Sequence, residues 1–382
     1  MEFLPGELER YNRHIILPQF GLQGQQKLKA AKVLIVGSGG LGSPLVLYLA
    51  AAGVGTIGII DFDTVSESNL QRQVLFGTGD LGKSKAQTAT EKIKAINPNV
   101  NVITYNEKMT SVNALEIIEA FDVIADGTDN FPTRYLVNDA CVLSGKAYVY
   151  GSVFQFEGQV AVFNYKNADG SFGPNYRDLF PSPPPPELIP DCASGGVLGV
   201  LPGIIGSMQA LEIIKLVTGI GESLSGKFLV FDALGFSTKT FLVKPNPNNP
   251  LNGTNPSLKA LIDYEEFCNT KPIQNIKEIT VQQFLELKSK GEEIQLIDVR
   301  EPLEYEAFNL EGKLIPLKNI LEHVSEIEHG KKVIIHCQSG VRSKTAINLL
   351  QQQFNFDNLY NLTGGIEAVL KISNIVKDRD KK

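Results

Sequence analysis

The sequence predicts an α/β protein with a doubly wound, mostly parallel sheet and added antiparallel strands, followed by a small second α/β domain. In the run KVLIVGSGGLG, residues 32–42, four apolar residues lead into glycines spaced as G-x-G-x-x-G, typical of a strand-to-helix turn at a nucleotide site. Apolar strands then alternate with helices to about residue 145, which favours a parallel sheet. A second alternation begins near Ile276, after a stretch rich in proline and asparagine. In it we predict helices at 281–290, 302–307, 317–323 and 343–353 and strands at 294–298 and 332–336.

Length and composition describe an ordinary globular protein. The 382 residues allow two domains, and 43% of them are hydrophobic and 20% charged. No apolar run reaches about 18 residues, and the first ten residues are acidic, unlike a secretory leader. We therefore expect a cytoplasmic protein without a membrane partner. The formal net charge of −6 offers no basic face, so no nucleic-acid partner is expected.

The glycine turn is the first candidate site. Gly37, Gly39 and Gly42 let backbone amides approach a phosphate without Cβ interference. Asp61 follows at the end of the next strand, about where an acidic residue meets a ribose hydroxyl in dinucleotide folds. The turn alone leaves NAD, FAD and ATP open, so an NAD-dependent oxidoreductase remains an alternative.

The remaining elements of the first domain follow the same alternation. We predict strands at residues 32–36, 56–61, 100–105 and 121–126, and helices at 41–52, 83–95 and 133–144. Two strands at 147–154 and 159–165, joined by a turn at Glu157 and Gly158, indicate an added hairpin. An irregular, proline-rich stretch at 167–199 follows, then a helix at 201–218 and closing strands at 227–232 and 239–243.

Charged residues after the second and fourth strands favour a triphosphate over a nicotinamide. Asn69, Arg72 and Lys85 supply an amide, a guanidinium and an ammonium close after the ribose-binding position. The fourth strand ends in DGTDN, which places Asp126, Asp129 and Asn130 at the carboxyl edge of the sheet. A carboxylate there could hold Mg²⁺ between phosphates.

The motifs of residues 8–243 resemble those of the MoeB/ThiF adenylyltransferases, which are relatives of ubiquitin-activating enzymes. The matching runs are RYNRHI, GSGGLG, DFDTVSESNLQRQ, GKSKA, DGTDN and CASGGVLGVLPGIIGSMQALEIIK. The resemblance implies a Rossmann-like fold, ATP and Mg²⁺ as cofactors, and the C-terminal Gly-Gly tail of a ubiquitin-like sulfur-carrier protein of the MoaD or ThiS type as the substrate. It implies ATP binding by Gly40, Asp61, Ser68, Asn69, Leu70, Gln71, Arg72, Lys85, Asp129 and Asn130.

The resemblance also implies a metal ligand and an oligomer. Asp129 would bind Mg²⁺, and Arg13 would reach the triphosphate of a neighbouring subunit, which requires a homodimer. Ser68 and Asn69 have the alternative role of capping the next helix. Many family members bind a structural zinc through two C-x-x-C pairs. Here those pairs read Asn175-Tyr-Arg-Asp178 and Asn249-Pro-Leu-Asn252, and because asparagine is a poor zinc ligand we expect no zinc.

The second domain resembles a rhodanese-type sulfurtransferase. LIDVREPLEY at residues 296–305 and HCQSGVRS at 336–343 match motifs of that family. The loop after Cys337 would form an anion site that lowers the pKa of the thiol and holds a persulfide, with Arg342 adding charge. A cysteine phosphatase is the alternative, but its arginine lies six positions beyond the cysteine, where this chain has Ser343.

The remaining cysteines have separate predicted roles. By family position, Cys192 would form a covalent intermediate with the carrier, and its alternative is a structural thiol. Cys141 lies in an apolar helix and is predicted to be core, and Cys268 has no assigned role.

We predict residues 1–245 as the adenylating domain, 246–275 as a linker with a short helix at 257–268, 276–376 as the sulfurtransferase domain and 377–382 as a charged tail. The predicted function is adenylation of the carrier followed by sulfur transfer from the Cys337 persulfide, in molybdopterin or thiamine biosynthesis. A cysteine desulfurase or thiosulfate would donate the sulfur. A carrier-binding scaffold with a separate sulfurtransferase activity is a further alternative.

Overall fold

The computed structural model describes residues 3–4, 6–184, 196–268, 276–354 and 356–371. Contacts divide the chain into two compact units, Met1–Thr270 and Lys271–Lys382. Cys192, Pro185 and Pro186 lie in residues 185–195, which are outside the described residues. The predicted tail at 377–382 is also outside them.

One sheet organises the first unit. Its strands are β1 (Lys32–Val36), β2 (Thr56–Ile60), β3 (Asn101–Tyr105), β4 (Val123–Asp126), β5 (Ala147–Phe154), β6 (Glu157–Phe163), β7 (Lys227–Asp232) and β8 (Ser237–Leu242). They form an eight-stranded sheet in the order β3-β2-β1-β4-β5-β6-β7-β8. The strands from β3 to β5 are parallel, and β6, β7 and β8 are added antiparallel. The predicted fold class is confirmed.

Helices cover both faces of this sheet. They are α1 (Glu7–Arg10), α2 (Asn12–Ile15), α3 (Gly21–Ala30), α4 (Gly42–Ala52), α5 (Lys85–Ile96), α6 (Ala114–Glu119), α7 (Phe131–Leu143), α8 (Tyr176–Leu179), α9 (Leu201–Thr218) and α10 (Tyr264–Phe267). In β1, Val33 and Ile35 pack with α4, α5 and α9, whereas Leu34 and Val36 pack with α6 and α7. Both faces of β1 are therefore buried, which explains its unbroken apolar run.

The reversal between β5 and β6 lies two residues earlier than predicted. Glu157 and Gly158 belong to β6, paired with Phe154 and Val153, so the predicted turn there is wrong. The chain reverses at Gln155 and Phe156 instead, and Gln155 takes a φ of 51°. The local residue types do not predict this conformation, because a positive φ is usually adopted by glycine or asparagine.

Helix α9 is the one described helix long and apolar enough to cross a membrane. Half of its 18-residue window is buried inside the protein, where it packs on α4 and on the sheet. A buried core helix passes the same length and composition test.

The described part of the predicted linker packs on the first unit. Asn249, Leu251, Tyr264 and Cys268 are buried there, and the contact division falls after Thr270. The helix predicted at 257–268 is reduced to the four residues of α10.

The second unit is a smaller parallel sheet with helices. Its strands are β9 (Lys277–Ile279), β10 (Ile294–Asp298), β11 (Lys313–Leu314), β12 (Lys332–His336) and β13 (Leu359–Leu362), in the order β11-β10-β12-β13-β9. Its helices are α11 (Val281–Ser289), α12 (Pro302–Ala307) and α13 (Val341–Phe354). The helix predicted at 317–323 is only a 3₁₀ turn, Leu317–Asn319, and β9, β11 and β13 were not predicted.

Candidate active sites

A cavity of about 140 Å³ opens at the carboxyl edge of the first sheet, where β1 and β4 lie side by side. Chain order changes direction between these strands, and doubly wound sheets bind ligands at such a point. Its lining includes the predicted residues Gly37, Gly39, Gly40, Asp61, Arg72, Lys85, Asp129 and Asn130. The cavity therefore brings together predicted residues that are up to 93 positions apart in the sequence, Gly37 and Asn130.

Glycines at the floor of this cavity are required by close backbone contact. A Cβ atom on Gly127 would lie 2.2 Å from the carbonyl oxygen of Gly37, and one on Gly42 would lie 2.1 Å from the same oxygen. Gly37 itself has a φ of 86°. The loops after β1 and β4 thus meet backbone to backbone, and Gly42 serves this packing rather than lining the cavity.

The carboxylate of Asp61 is held in place by the protein. Its Oδ2 accepts hydrogen bonds from the backbone N–H and the hydroxyl of Ser38, both at 2.8 Å, and its Oδ1 accepts from the N–H of Asp63 at 2.9 Å. Ser38, inside the glycine turn, was not singled out from the sequence. The side chain predicted for the ribose is therefore already oriented.

Lys85 is already paired. It begins α5, is buried, and its Nζ lies 2.9 Å from Oδ2 of Asp63. Asp63 lines the cavity and was not predicted, although it follows Asp61 by two residues in the run DFD. Arg72 also lines the cavity and donates to the carbonyl of Ser68 at 3.2 Å. Two cations therefore face the same space.

Asp129 and Asn130 follow β4 at the cavity rim. Asn130 caps α7, its side chain accepting from the N–H of Thr133 at 3.0 Å. The exposed carboxylate of Asp129 has no hydrogen-bond partner among the described residues. Mg²⁺ binds through one or two carboxylates together with phosphate and water oxygens, so this side chain fits that ion.

Beneath the cavity lies a buried polar group around Asp126, which the sequence placed at the carboxyl edge of the sheet, although its partners Tyr148 and Arg134 were not predicted. Asp126 is fully buried, accepts from the N–H and hydroxyl of Thr128 at 2.8 and 2.6 Å, and accepts from the Tyr148 hydroxyl. Burial raises the pKa of Asp126, with the nearby Arg134 guanidinium opposing the rise. Arg134 also lines the cavity, and its buried Nε has no partner in the described part of the chain.

Other predicted residues lie away from this cavity. The segment from Ser68 to Gln71 does not line it: Asn69 ends the 3₁₀ turn Glu67–Asn69, Leu70 packs against the core and Gln71 lies against Gly199. Arg13, on α2, is exposed and lies outside the cavity of its own chain. Their roles stay predictions.

The four positions that match zinc ligands in the resembling family do meet in the structure. We call Asn175, Asp178, Asn249 and Asn252 the polar clasp. Nδ2 of Asn249 donates to Oδ1 of Asp178 at 2.7 Å and to Oδ1 of Asn175 at 3.2 Å, and Nδ2 of Asn175 donates to Oδ1 of Asn252 at 3.0 Å. Three amides and one carboxylate that bond to each other do not fit a zinc site.

The polar clasp continues into a buried ion pair. Arg177 and Asp139 are each 1% exposed at the side chain, with Nη2 2.7 Å from Oδ2, and the Tyr264 hydroxyl donates to the same oxygen at 2.8 Å. Asn138 joins the two groups, because its Nδ2 donates to Oδ1 of Asp139 at 3.0 Å and to Oδ1 of Asn175 at 3.4 Å. This network fixes α8 and α10 against α7.

In the second unit, Cys337 follows β12 directly and is 1% exposed. The N–H of Gly340 donates to its Sγ at 3.2 Å, and the Ser343 hydroxyl lies 3.5 Å from it. Gly340 has a φ of 95°, which turns the loop back over the sulfur. The loop therefore presents backbone and hydroxyl donors to the thiol, and Ser343 was not among the predicted site residues.

Arg342 does not face the sulfur as a free charge. Its two terminal nitrogens each donate to Glu304 at 2.7 Å, one to each carboxylate oxygen. Hydrogen bonds from Arg342 lower the pKa of Glu304. The positive charge predicted for this loop is thus neutralised by a partner on α12.

The two other described cysteines are buried away from both sites. Cys141 is fully buried on α7, and burial raises its pKa well above the ordinary value. Burial raises the pKa of Cys268 to about 12. The prediction that Cys141 belongs to the core is confirmed.

Sequence comparison finds two families in the chain. Residues 11–251 match the ThiF family, and residues 280–371 match the rhodanese-like domain. A probable adenylyltransferase/sulfurtransferase MoeZ of Mycobacterium tuberculosis is 46% identical over 96% of this chain and 93% of its own length. A sulfur carrier protein adenylyltransferase of Thermus thermophilus is 50% identical over 71% of this chain and its full length. The adenylyltransferase and sulfurtransferase MOCS3 of Aedes aegypti is 40% identical over 95% of this chain and 86% of its own length.

Solved structures share the fold of the first unit. E. coli MccB crystallised with ATP matches with a TM-score of 0.55 and 22% identity, covering 64% of this chain and 73% of MccB. PaaA matches with a TM-score of 0.52 and 25% identity, covering 63% of this chain and 75% of PaaA. At these identities the MccB likeness concerns the fold alone.

Proposed function

The chain belongs to the ThiF family, and from that membership we propose that its first unit adenylates the C-terminal glycine of a ubiquitin-like sulfur-carrier protein and its second unit supplies the sulfur. The protein is an adenylyltransferase and sulfurtransferase, as predicted. The proposal is carried by the cavity that joins a glycine turn to Arg72, Lys85 and Asp129. A nicotinamide gives those charges no role, so the oxidoreductase alternative is dropped.

ATP would lie with its phosphates over the glycine turn and its ribose at Asp61. Arg72 and Lys85 would neutralise phosphate charge. When phosphate enters, the Lys85 ammonium would leave Asp63 or contact Asp63 and the phosphate together. Asp129 would hold Mg²⁺, which supplies charge neutralisation at the phosphates. The unpartnered carboxylate of Asp129 supports this assignment.

Adenylation turns an unreactive carboxylate into an acyl donor. The carrier's terminal carboxylate oxygen attacks the α-phosphorus of ATP, a P–O bond forms, and pyrophosphate leaves with the electron pair of the broken bond. Such a transfer needs in-line positioning and charge stabilisation rather than an acid and a base. The cavity's cations provide that stabilisation.

Sulfur transfer would follow at Cys337. The terminal sulfur of a Cys337 persulfide attacks the acyl carbon, and AMP leaves. A thiolate at Cys192 then attacks Sγ of Cys337, the S–S bond to the acyl sulfur breaks, and the carrier leaves as a thiocarboxylate. A Cys192–Cys337 disulfide remains, which an external thiol must reduce.

The proposed partners follow from this chemistry. They are a carrier with a C-terminal Gly-Gly and a sulfane donor such as a cysteine desulfurase or thiosulfate. The Thermus relative, named for acting on a sulfur carrier, supports the carrier as substrate. A second copy of the chain would complete the cavity through Arg13, and a cytoplasmic location remains our expectation.

Separate loss of the two half-reactions tests the proposal. We expect Cys337→Ala to abolish thiocarboxylate formation while carrier-dependent ATP–pyrophosphate exchange continues. Asp129→Ala should lower that exchange by about a hundredfold or more, whereas Asp169→Ala, at an exposed loop position, should leave it unchanged. Loss of exchange in Cys337→Ala would contradict the division of labour, and a scaffold without adenylation would show no exchange at all.

A further inference from the structure

Two buried side chains that no earlier step uses form a hydrogen-bonded chain that begins at the sulfur of Cys337. Ser343 and Asn361 are each fully buried. The Ser343 oxygen lies 3.5 Å from Sγ and 2.6 Å from Oδ1 of Asn361. Ser343 is on α13 and Asn361 on β13, so the contact joins two elements that flank the loop.

The orientation of the Asn361 amide is fixed from its far side. Nδ2 of Asn361 donates to Oε2 of Glu278 at 2.9 Å, and the Thr363 hydroxyl donates to the same oxygen at 2.8 Å. Lys344 pairs with Oε1 of Glu278 at 2.6 Å. Partial burial raises the pKa of Glu278, but these hydrogen bonds outweigh it and lower the pKa overall. Because the carboxylate takes the N–H, the carbonyl oxygen of Asn361 must face Ser343.

The Ser343 hydroxyl therefore has one proton and two acceptors in reach. A thiolate at Cys337 is the stronger acceptor, since hydrogen bonds to an ionised group exceed neutral ones. Once Sγ is part of a persulfide, its charge resides on the outer sulfur, and the Asn361 carbonyl becomes the better acceptor of the two. The geometry allows either bond by rotation of the hydroxyl alone.

We propose that Ser343 and Asn361 are positioning residues for sulfur loading, the Ser343 hydroxyl donating to Sγ in the free thiolate and turning to Asn361 in the persulfide. In loading, Sγ attacks the sulfane sulfur of the donor. The new Sγ–S bond forms as the donor's S–S or S–SO₃ bond breaks, and the electron pair leaves with the donor as a thiolate or sulfite. This inference rests on the proposed role of Cys337.

Single-turnover loading from thiosulfate, read as cyanide-releasable sulfur on the full-length protein, tests the pair. We expect Ser343→Ala to slow loading by about tenfold, the worth of one hydrogen bond to a charged group, and to move the pH profile of iodoacetamide alkylation of Cys337 to higher pH. Ser343→Thr keeps the hydroxyl and should restore both. Thr345→Ala, which removes a half-buried hydroxyl of α13 that donates to the Val341 carbonyl, is the matched control and should change neither.

Asn361→Ala should act in the opposite direction. With its competing acceptor gone, the Ser343 hydroxyl stays on Sγ, so loading proceeds at least as fast as in the wild type while the persulfide is lost to cyanide faster. Loading of Ser343→Ala at the wild-type rate, or equal slowing in Ser343→Ala and Asn361→Ala, would overturn the inference. If Cys337→Ala loads sulfur as the wild type does, the proposed role of Cys337 fails instead. The Ser343→Ala and Ser343→Thr comparison remains decisive even if Asn361→Ala does not fold.

Discussion

One cation at each site is paired with a carboxylate before any substrate arrives. Lys85 holds Asp63, and Arg342 holds Glu304 through two hydrogen bonds. A bidentate guanidinium–carboxylate contact keeps its geometry better than a single contact does. An anionic substrate must compete with these carboxylates, so the partners Asp63 and Glu304 set how strongly each cation attracts it.

Glu304→Gln should release Arg342 toward the sulfur loop. Because thiosulfate is a small dianion, we expect its kcat/KM in thiocyanate formation to rise by about tenfold. Glu301→Gln, at a neighbouring carboxylate paired with Lys318, is the matched control and should have little effect. An unchanged or lower kcat/KM in Glu304→Gln would show that Arg342 has no part in anion capture.

Moderate acid is not expected to break the Arg342–Glu304 pair. The hydrogen bonds from Arg342 lower the pKa of Glu304, so the carboxylate remains charged well into the acid range. The stability that the pair contributes is present above the ordinary glutamate pKa and is lost only as the pH falls through the lowered value. Thiosulfate kinetics near neutral pH should therefore show no step from this group.

The buried thiols give a second prediction at this scale. Burial raises the pKa of both Cys141 and Cys268, so both stay protonated and shielded near neutral pH. In the native protein we expect neither to be alkylated by iodoacetamide on the timescale of Cys337, while both react after denaturation. Peptide mass mapping distinguishes the sites, and rapid native labelling of Cys268 would mean that α10 opens readily.

At the scale of elements, the polar clasp links two segments of the chain through hydrogen bonds, as a bound zinc ion links segments in zinc proteins. It joins α8 to the segment after β8, and the buried Arg177–Asp139 pair extends the join to α7. α8 immediately precedes the proline-rich stretch that carries Cys192. The clasp therefore anchors one end of that stretch.

Asn249→Ala should destabilise the first unit. The change removes two donated hydrogen bonds and leaves the half-buried acceptor of Asp178 and the buried acceptor of Asn175 short of a partner, which costs about 1 to 3 kcal/mol. Asn248→Ala, one residue away and exposed, is the matched control for thermal melting. We also expect EDTA to leave the melting temperature of the wild type unchanged, and a metal analysis that finds stoichiometric zinc would refute the clasp as the replacement.

The strands that the sequence predicted well are those with long apolar runs. β1, β5, β7, β10 and β12 carry continuous or nearly continuous apolar runs, and their observed bounds match the predicted ones. The short strands β9, β11 and β13 were missed because two to four residues carry too little periodicity to detect. They are strands only because a neighbour in the sheet pairs with them.

The residues of the two sites likewise divide into those that the sequence predicted and those that it did not. Gly37, Asp61, Lys85 and Asp129 were predicted because each stands at a fixed place after a strand or glycine turn. Pairs such as Arg342 with Glu304, or Ser343 with Asn361, join residues 38 and 18 positions apart. No local sequence pattern shows which distant residues the fold brings into contact, so these contacts could be found only from the structure.

At the scale of the whole molecule, Arg13 is exposed and lies outside the cavity of its own chain, as expected if it completes the cavity of a second copy. In a symmetric dimer each cavity would combine Asp129 of one chain with Arg13 of the other. The two residues then belong to one site but to different chains, and that arrangement has a measurable signature.

Mixing two inactive variants should restore activity. Arg13→Ala chains retain Asp129, and Asp129→Ala chains retain Arg13, so each mixed dimer holds one complete cavity. With random pairing half of the dimers are mixed and one of their two cavities is complete, so we expect about a quarter of wild-type pyrophosphate exchange. The double variant Arg13→Ala/Asp129→Ala, mixed with itself, is the control. No recovery after verified subunit exchange would place Arg13 elsewhere.

The strand order of the second unit bears on how the protein is made. β9, the first strand of that unit, pairs with β13, the last, so its sheet closes only when Leu362 has been synthesised. The sheet of the first unit is complete by Leu242. Since domains fold in order during synthesis and parallel pairing between distant segments is slow, every nascent chain passes through a period in which the sheet of the first unit is complete and that of the second unit is not. The nucleotide-binding half of the protein is thus folded on the ribosome before the half that carries Cys337.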